Sequence, residues 1–152
     1  MSMTLKVEGL EELQDSFEKV IRQFPDDAGD ELRKLGLQIK KDAISNTKAR
    51  TASNPKHKQS LLRNYGVSQV RGTYLDQEVD VTTSSPHFHL VEDGHEQVMP
   101  YKIMGHPYSR GGEHVGRVQG FDMLKDAIEK NEDEMPKNME KMVDKILKKN
   151  GF

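Results

Sequence analysis

Three histidines, His87, His89 and His95, crowd one short stretch with Glu92 among them, and His106 and His114 follow. Imidazole and carboxylate together can ligate zinc-type metals, and residues two apart on a strand face the same way, so His87 and His89 could share an ion. The remaining ligands do not assemble. Glu92 is three residues from His89 and points to the opposite face of a continuing strand. No His-Glu-x-x-His spacing occurs, and no second acidic cluster supports a two-metal centre. Solvated strand-edge histidines account for the cluster better. The nucleophiles fare no better. No serine sits in Gly-x-Ser-x-Gly. The chain has no cysteine, which excludes thiol chemistry and disulfides. Gly111-Gly112 lacks the Gly-Lys-Ser/Thr that would place a phosphate on a helix N-terminus. Asp76, Glu78 and Asp80 alternate as the wet face of a strand does. The expectation is a protein with no catalytic, cofactor or metal site, and not an enzyme.

Charge is more informative. No acidic residue lies between Asp42 and Asp76, a span that holds Lys48, Arg50, Lys56, Lys58, Arg63 and Arg71. Lys48, Arg50, Lys56, Lys58 and Arg63 therefore form a candidate docking loop for an acidic partner or for phosphates. No aromatics are interleaved to stack bases. The net charge of -2 argues against a nucleic-acid coat. Met135, Met139 and Met142 recur at helical spacing, as adaptable core or interface packing would.

The elements that must position these residues follow from periodicity. Leu5 and Val7 alternate with Lys6 and Glu8 as a short strand, which Gly9 breaks. Leu10, Leu13, Phe17, Val20, Ile21 and Phe24 mark one face of a helix that Pro25 should end. Asp26 or Asp27 would cap a second helix, with Leu32, Leu35, Ile39 and Ala43 as its buried stripe. A mobile loop is expected at about 45–60. Leu61 to Arg71 reads as a strand and Arg71-Gly72-Thr73 as a turn. Tyr74 to Thr82 reads as a strand with Leu75, Val79 and Val81 on its packed face. His87 to Glu92 would be a third strand. The stretch 99–120 is rich in glycine and proline, has no period, and reads as a second mobile loop. A C-terminal helix from Phe121 should be kinked or split at Pro136 and closed by Gly151.

The 152 residues suit one domain, which can bury roughly 70% of its unfolded surface. The apolar supply is thin: 34% of residues are hydrophobic, 32% are charged, and the mean hydropathy is -0.81. Such a chain is expected to expose long segments or to lean on partners. Met1 to Leu10 has no apolar core of a signal peptide, and no stretch approaches the roughly 18 apolar residues of a membrane span.

Four stretches carry a family likeness: Leu5-Lys6-Val7-Glu8-Gly9-Leu10-Glu11-Glu12-Leu13, Ser60-Leu61-Leu62-Arg63-Asn64-Tyr65, His89-Leu90-Val91-Glu92-Asp93-Gly94-His95 and Gly120-Phe121-Asp122-Met123-Leu124-Lys125-Asp126-Ala127. In this order they resemble the tail-component family of long-tailed phages and prophages. Its members are head–tail joining or tail-completion proteins, including relatives of the lambda-type minor tail protein Z. In the third stretch Glu92, Gly94 and His95 are similar to the family's strand-end motif. The resemblance implies an α+β fold: a small, mostly antiparallel sheet of three to four strands, packed by N-terminal helices and the long C-terminal helix. It implies a virion structural protein, made in the cytoplasm of the bacterial host. This protein would assemble with itself as a ring, a hexamer, in the neck at the head-proximal end of the tail. Tail-tube, tail-terminator or head-connector proteins would be its partners, DNA would pass through the ring, and no membrane or cofactor would be involved. The competing expectations are a nucleic-acid-binding or toxin-like ribonuclease module and, behind it, a metal hydrolase.

Overall fold

The computed structural model describes residues 9–51, 61–74, 76–99 and 112–152, with the backbone of two short strands at 101–103 and 106–108. The strand expected at Leu5–Val7 lies outside the described residues.

Helix α1 spans Leu10–Arg50, 41 residues, or about 60 Å at 1.5 Å per residue. Glu11 and Glu12 in its first turn and Lys48 and Arg50 in its last complement the helix dipole. Pro25 lies inside it and does not end it. A proline withholds the N–H that should serve the carbonyl four residues back, here that of Ile21. The Tyr74 hydroxyl supplies the missing donor, 2.7 Å from the Ile21 oxygen. Gln77 Nε2 donates to the Pro25 carbonyl at 2.9 Å. Two side chains from elsewhere thus hold the proline turn in a helix that local sequence would stop. Asp26 and Asp27, expected as caps, sit within it.

One flank of α1 is lined by Gly29, Gly36, Ala43 and Thr47, all buried. The first three are spaced by seven, about two turns. They admit a β-hairpin to close range: a β-carbon on Gly36 would lie 3.0 Å from Cγ1 of both Val67 and Val79, and one on Gly29 would lie 3.3 Å from Val70 Cγ1. The hairpin comprises β1 (Tyr65–Val67), β2 (Arg71–Thr73), β3 (Asp76–Glu78) and β4 (Val81–Thr83), with β1 antiparallel to β4 and β2 to β3. Residues 68–70 stand opposite 79–80 and interrupt the ladder. There the Ser68 N–H donates to the Asp80 carbonyl, and the Asp80 N–H donates to Ser68 Oγ, both at 2.9 Å. Val79 and Val81 face α1, as their alternation requires. The strand expected over 61–71 starts instead as a helical turn at 61–63, and the expected turn at Arg71–Thr73 is a strand. Gly72 permits this at φ 103, where a β-carbon would collide with the Asp76 carbonyl.

The other flank of α1 carries α3 (Met123–Glu132) and α4 (Glu134–Lys149). They divide at Asp133, and Pro136 occupies the first turn of α4, where no helical donor is needed. Gly151, at φ 92, follows the last turn of α4, as expected. Ala43, Tyr65 and Ala127 form the core, with Ile39, Ile44, Phe88 and Leu124 packed against it. The Tyr65 phenol meets Thr47 Oγ1 at 3.0 Å, and Thr47 in turn donates to the Ala43 carbonyl at 2.8 Å. Burial pushes the Tyr65 phenol up from its usual value. Asp42 accepts from Asn131 at 2.9 Å, Lys130 at 3.0 Å and Gln38 at 3.2 Å, which ties α1 to α3. The Asn131 hydrogen bond, aided by those of Lys130 and Gln38 and opposed by burial, holds the Asp42 carboxyl below the usual carboxylate range.

Residues 88–92, expected as a strand, form the short helix α2 (Phe88–Glu92). After it, β5 (Gly94–Val98) pairs antiparallel with β8 (His114–Gln119), and β6 (Tyr101–Ile103) with β7 (His106–Tyr108). Within the stretch read as a second loop, the described residues 101–103, 106–108 and 114–119 are therefore strands of a β-ribbon. Every residue of β8 is exposed, so no buried face imposes an alternation on it. The fold is α+β, and among the described residues the strands pair in four two-stranded antiparallel ladders. Among the described residues no helix is long and apolar enough to cross a membrane.

Two predictions follow from the contacts of α1. Tyr74→Phe should cost about 0.5–1.5 kcal/mol in urea unfolding, the usual net value of one hydrogen bond. Pro25→Ala should largely recover that loss in the Tyr74→Phe background, because residue 25 then serves the Ile21 carbonyl itself. For Asp42 the folded-state value is depressed, so its stabilisation is complete above the unfolded value of about 3.9 and fades as pH falls through the folded one. Asp42→Asn should therefore be less stable than wild type at pH 7, and thermal melts should show the gap closing below about pH 4.

Candidate functional site

Of the sequence-derived candidates, Glu92, Gly94 and Arg50 meet at the junction of α2, the ribbon and α3. Helix α3 begins at Met123, with Asp122 before it in the left-handed region (φ 46) and making no side-chain cap. The free N–H groups of its first turn still need acceptors. Glu92, at the end of α2 and only 7% exposed, supplies them. Its Oε2 accepts from the Met123 N–H at 2.8 Å, and its Oε1 accepts from Leu124 at 2.8 Å and Lys125 at 2.9 Å. Negative charge at a helix N-terminus is also favoured by the dipole. The backbone of the same turn is pinned beside it, Phe121 N–H to the Val91 carbonyl at 2.9 Å and Asp122 N–H to the Glu92 carbonyl at 3.2 Å. Gly94 (φ 77) and Gly120 let the chains cross here: a β-carbon would lie 2.3 Å from the Val118 carbonyl in the first case and 2.1 Å from the Glu92 carbonyl in the second.

The Glu92–Gly94 motif is thus not a strand end. Glu92 closes a helix and caps another from 31 positions away, and Gly94 opens β5. His95 is exposed, with Nδ1 3.3 Å from the Leu90 carbonyl. His87 precedes α2 and His89 lies within it, so two residues apart they diverge and do not share a face. His114 pairs with Glu96 on the ribbon, Nδ1 to Oε2 3.0 Å. Among the described residues no group of three or more His, Asp or Glu is placed to hold a metal ion.

The candidate docking residues separate. Lys48 is exposed in the last turn of α1. Arg50 is engaged within the fold, donating to the Phe121 carbonyl and to Asp126. Together with Asn46, whose Nδ2 donates to the Met123 carbonyl at 2.9 Å, it holds the end of α1 against the start of α3. Arg63 is exposed on the turn at 61–63, and Lys56 and Lys58 lie outside the described residues. The Met set divides as well: Met142 is buried, Met139 half-buried and Met135 exposed. Sequence reasoning placed Ala43 on the buried stripe but missed Tyr74, Gln77 and the spacing of Gly29 and Gly36 with Ala43. Only the last left a legible signal, in its seven-residue spacing.

Residues 11–94 match the family described as "Bacteriophage HK97-gp10, putative tail-component". The chain belongs to this phage tail-component family. No curated protein and no solved structure matches it. The segment shared with the tail-component family contains nearly all of α1, the β1–β4 hairpin and α2, and it ends on Glu92-Asp93-Gly94. The ribbon, α3 and α4 follow it. Glu92 caps α3 from the shared segment, and Arg50, Asn46 and Asp42 of α1 bond to the same helix.

Glu92→Ala leaves three N–H groups without their acceptor. It is expected to cost about 2–4 kcal/mol, more than an exposed cap, and Glu92→Gln, which keeps one acceptor oxygen, about half as much. Urea denaturation of the three proteins side by side measures both.

Proposed function

We propose that the protein is a structural subunit of the phage head–tail connector or tail-completion assembly, acting by forming a ring at the head-proximal end of the tail. Membership of the tail-component family over residues 11–94 is the observation that carries this reading. A member of such a family ends in the virion, having been made in the host cytoplasm. The work of the protein is surface contact: copies of itself on either side, six to a ring, and tail-tube, tail-terminator or head-connector subunits above and below, with DNA passing through the opening.

The structure suits that role in two respects. A subunit in a ring needs two different patches, one for each neighbour. The described surface leaves large apolar side chains uncovered at both ends of the fold, Leu10, Leu13, Phe17 and Ile21 on α1 and Val98, Met99, Val115 and Val118 along the ribbon. A two-stranded ribbon exposed on both faces is marginal by itself and gains stability from a neighbour. The basic span offers Lys48 and Arg63 to an acidic partner, while Arg50 is already committed within the fold.

Electron microscopy of the concentrated protein should show closed annuli, six-fold in class averages. Lys48→Glu with Arg63→Glu should lower the yield of joined particles in a complementation assay and leave the fold intact by circular dichroism. Full joining by the doubly reversed chain would remove the basic span from the docking surface, and particles that join normally without this protein would sink the proposed role.

A further inference from the structure

Where α1, α3 and α4 meet they leave an open groove of about 330 Å³. Leu35, Met135 and Met139 give it apolar walls, and Gln38, Asn131 and Glu134 give it polar ones. Asp42 decides how the two amides stand. Gln38 Nε2 and Asn131 Nδ2 both donate to its carboxylate, so the amide oxygens are the ends left over. Asn131 is only 3% exposed, and its Nδ2 also donates to the Ala127 carbonyl. Its Oδ1 has no hydrogen-bond partner among the described residues. No side-chain oxygen among them is both sealed and unpaired, so Oδ1 opens onto the groove that Asn131 lines. The Glu134 carboxylate lies on the same groove and forms no ion pair among the described residues. Lys34, on the rim, is neutralised by Glu31. The groove therefore offers two amide oxygens and a carboxylate beside thioether walls. Such a site takes a cation carried on an aliphatic stem. A guanidinium suits it best, because its planar fork of N–H groups can serve a carboxylate and an amide oxygen at once.

We infer that the groove seats Arg63 of a second copy of this chain. Charge selects that occupant. The acid-free span between Asp42 and Asp76 holds three described arginines. Arg50 is paired with Asp126, and Arg71 with Glu78 and Asp80. Arg63 is exposed on its turn and forms no ion pair among the described residues. It cannot reach the groove of its own chain. Its turn leads into Tyr65, which meets Thr47 on the hairpin flank of α1. The groove opens on the other flank, and its Gln38 lies nine residues, or about 14 Å, along the helix from Thr47. The seat and the side chain that fills it thus face different neighbours. Such a contact is heterologous and passes from copy to copy, as a ring requires. The inference rests on the proposed ring and names one residue pair that would hold it together.

Sedimentation velocity of the full chain over a concentration series, with electron microscopy of the same samples, tests this. Wild type should associate, and less so as salt is raised. Arg63→Glu and Glu134→Arg each set like charges across the contact. Each should weaken association about tenfold or more and leave the circular dichroism spectrum unchanged. Mixing the two variants should restore association, because each reversed side chain then meets its opposite on the other copy. A variant that had merely misfolded could not be rescued in this way. Association of both variants equal to that of wild type overturns this contact, and annuli that persist in them leave the ring standing without it. Loss in Glu134→Arg with full association in Arg63→Glu also overturns it, since another cation then fills the groove. So does a mixture that associates no better than its components. Association restored as open chains without annuli supports this contact and counts against the ring. A wild type that stays monomeric throughout overturns both.

Discussion

Both layers of the protein are laid against α1 along most of its length, so the helix has to run unbroken through Pro25. The hairpin covers one flank from Thr47 down to Ile21, and α3 and α4 cover the other from Arg50 down to Gln23. A kink at Pro25 would turn the lower half of α1 away from both. The orphaned Ile21 carbonyl is the point of failure, and the Tyr74 hydroxyl removes it. Tyr74 sits at the end of the same hairpin whose valines pack on Gly29 and Gly36. Close approach of the hairpin and continuity of the helix are thus one arrangement: the small residues let the strands come near, and the strands bring the donor that keeps the helix whole.

Glu92 performs a second joining of this kind. Helix α3 starts at a left-handed Asp122 and has no cap of its own, and the carboxylate that serves it belongs to α2. Around it, Gly94 and Gly120 allow backbone crossings that a side chain would block. Arg50 and Asn46 reach the same turn from α1. Three segments distant in sequence therefore meet at one helix N-terminus. The segment shared with the tail-component family ends at this point, and the C-terminal helices are held to it by polar contacts at the junction and apolar packing along α1.

The surface is consistent with a protein whose partners complete it. With few apolar residues to spend, the chain still leaves Leu10, Leu13, Phe17 and Ile21 in solvent at one extremity and an uncovered ribbon at the other. Buried as they stand in the chain, those side chains would stabilise it. Their exposure fits the subunit contacts proposed for this protein.

Much of this was legible in the residues themselves. The helical stripes from Leu10 to Ala43, the face shared by Val79 and Val81 and the break near Pro136 follow from period and local chemistry, because each depends on neighbours a few residues away, and the α+β class was implied by the family resemblance. The likeness to phage tail components rested on short motifs in order along the chain. What tertiary structure alone decided are the places where a distant group overrules a local preference. Pro25 reads as a helix stop, yet α1 runs through it, with Tyr74 and Gln77 donating to the carbonyls of Ile21 and Pro25. His87 to Glu92 reads as a strand until Glu92 is needed as a cap. Strand β8 shows no alternation because every one of its residues is exposed. A sequence pattern records burial and local hydrogen bonding. It cannot record a donor or acceptor delivered from 50 or 30 residues away, and that is what set the course of α1 and the start of α3.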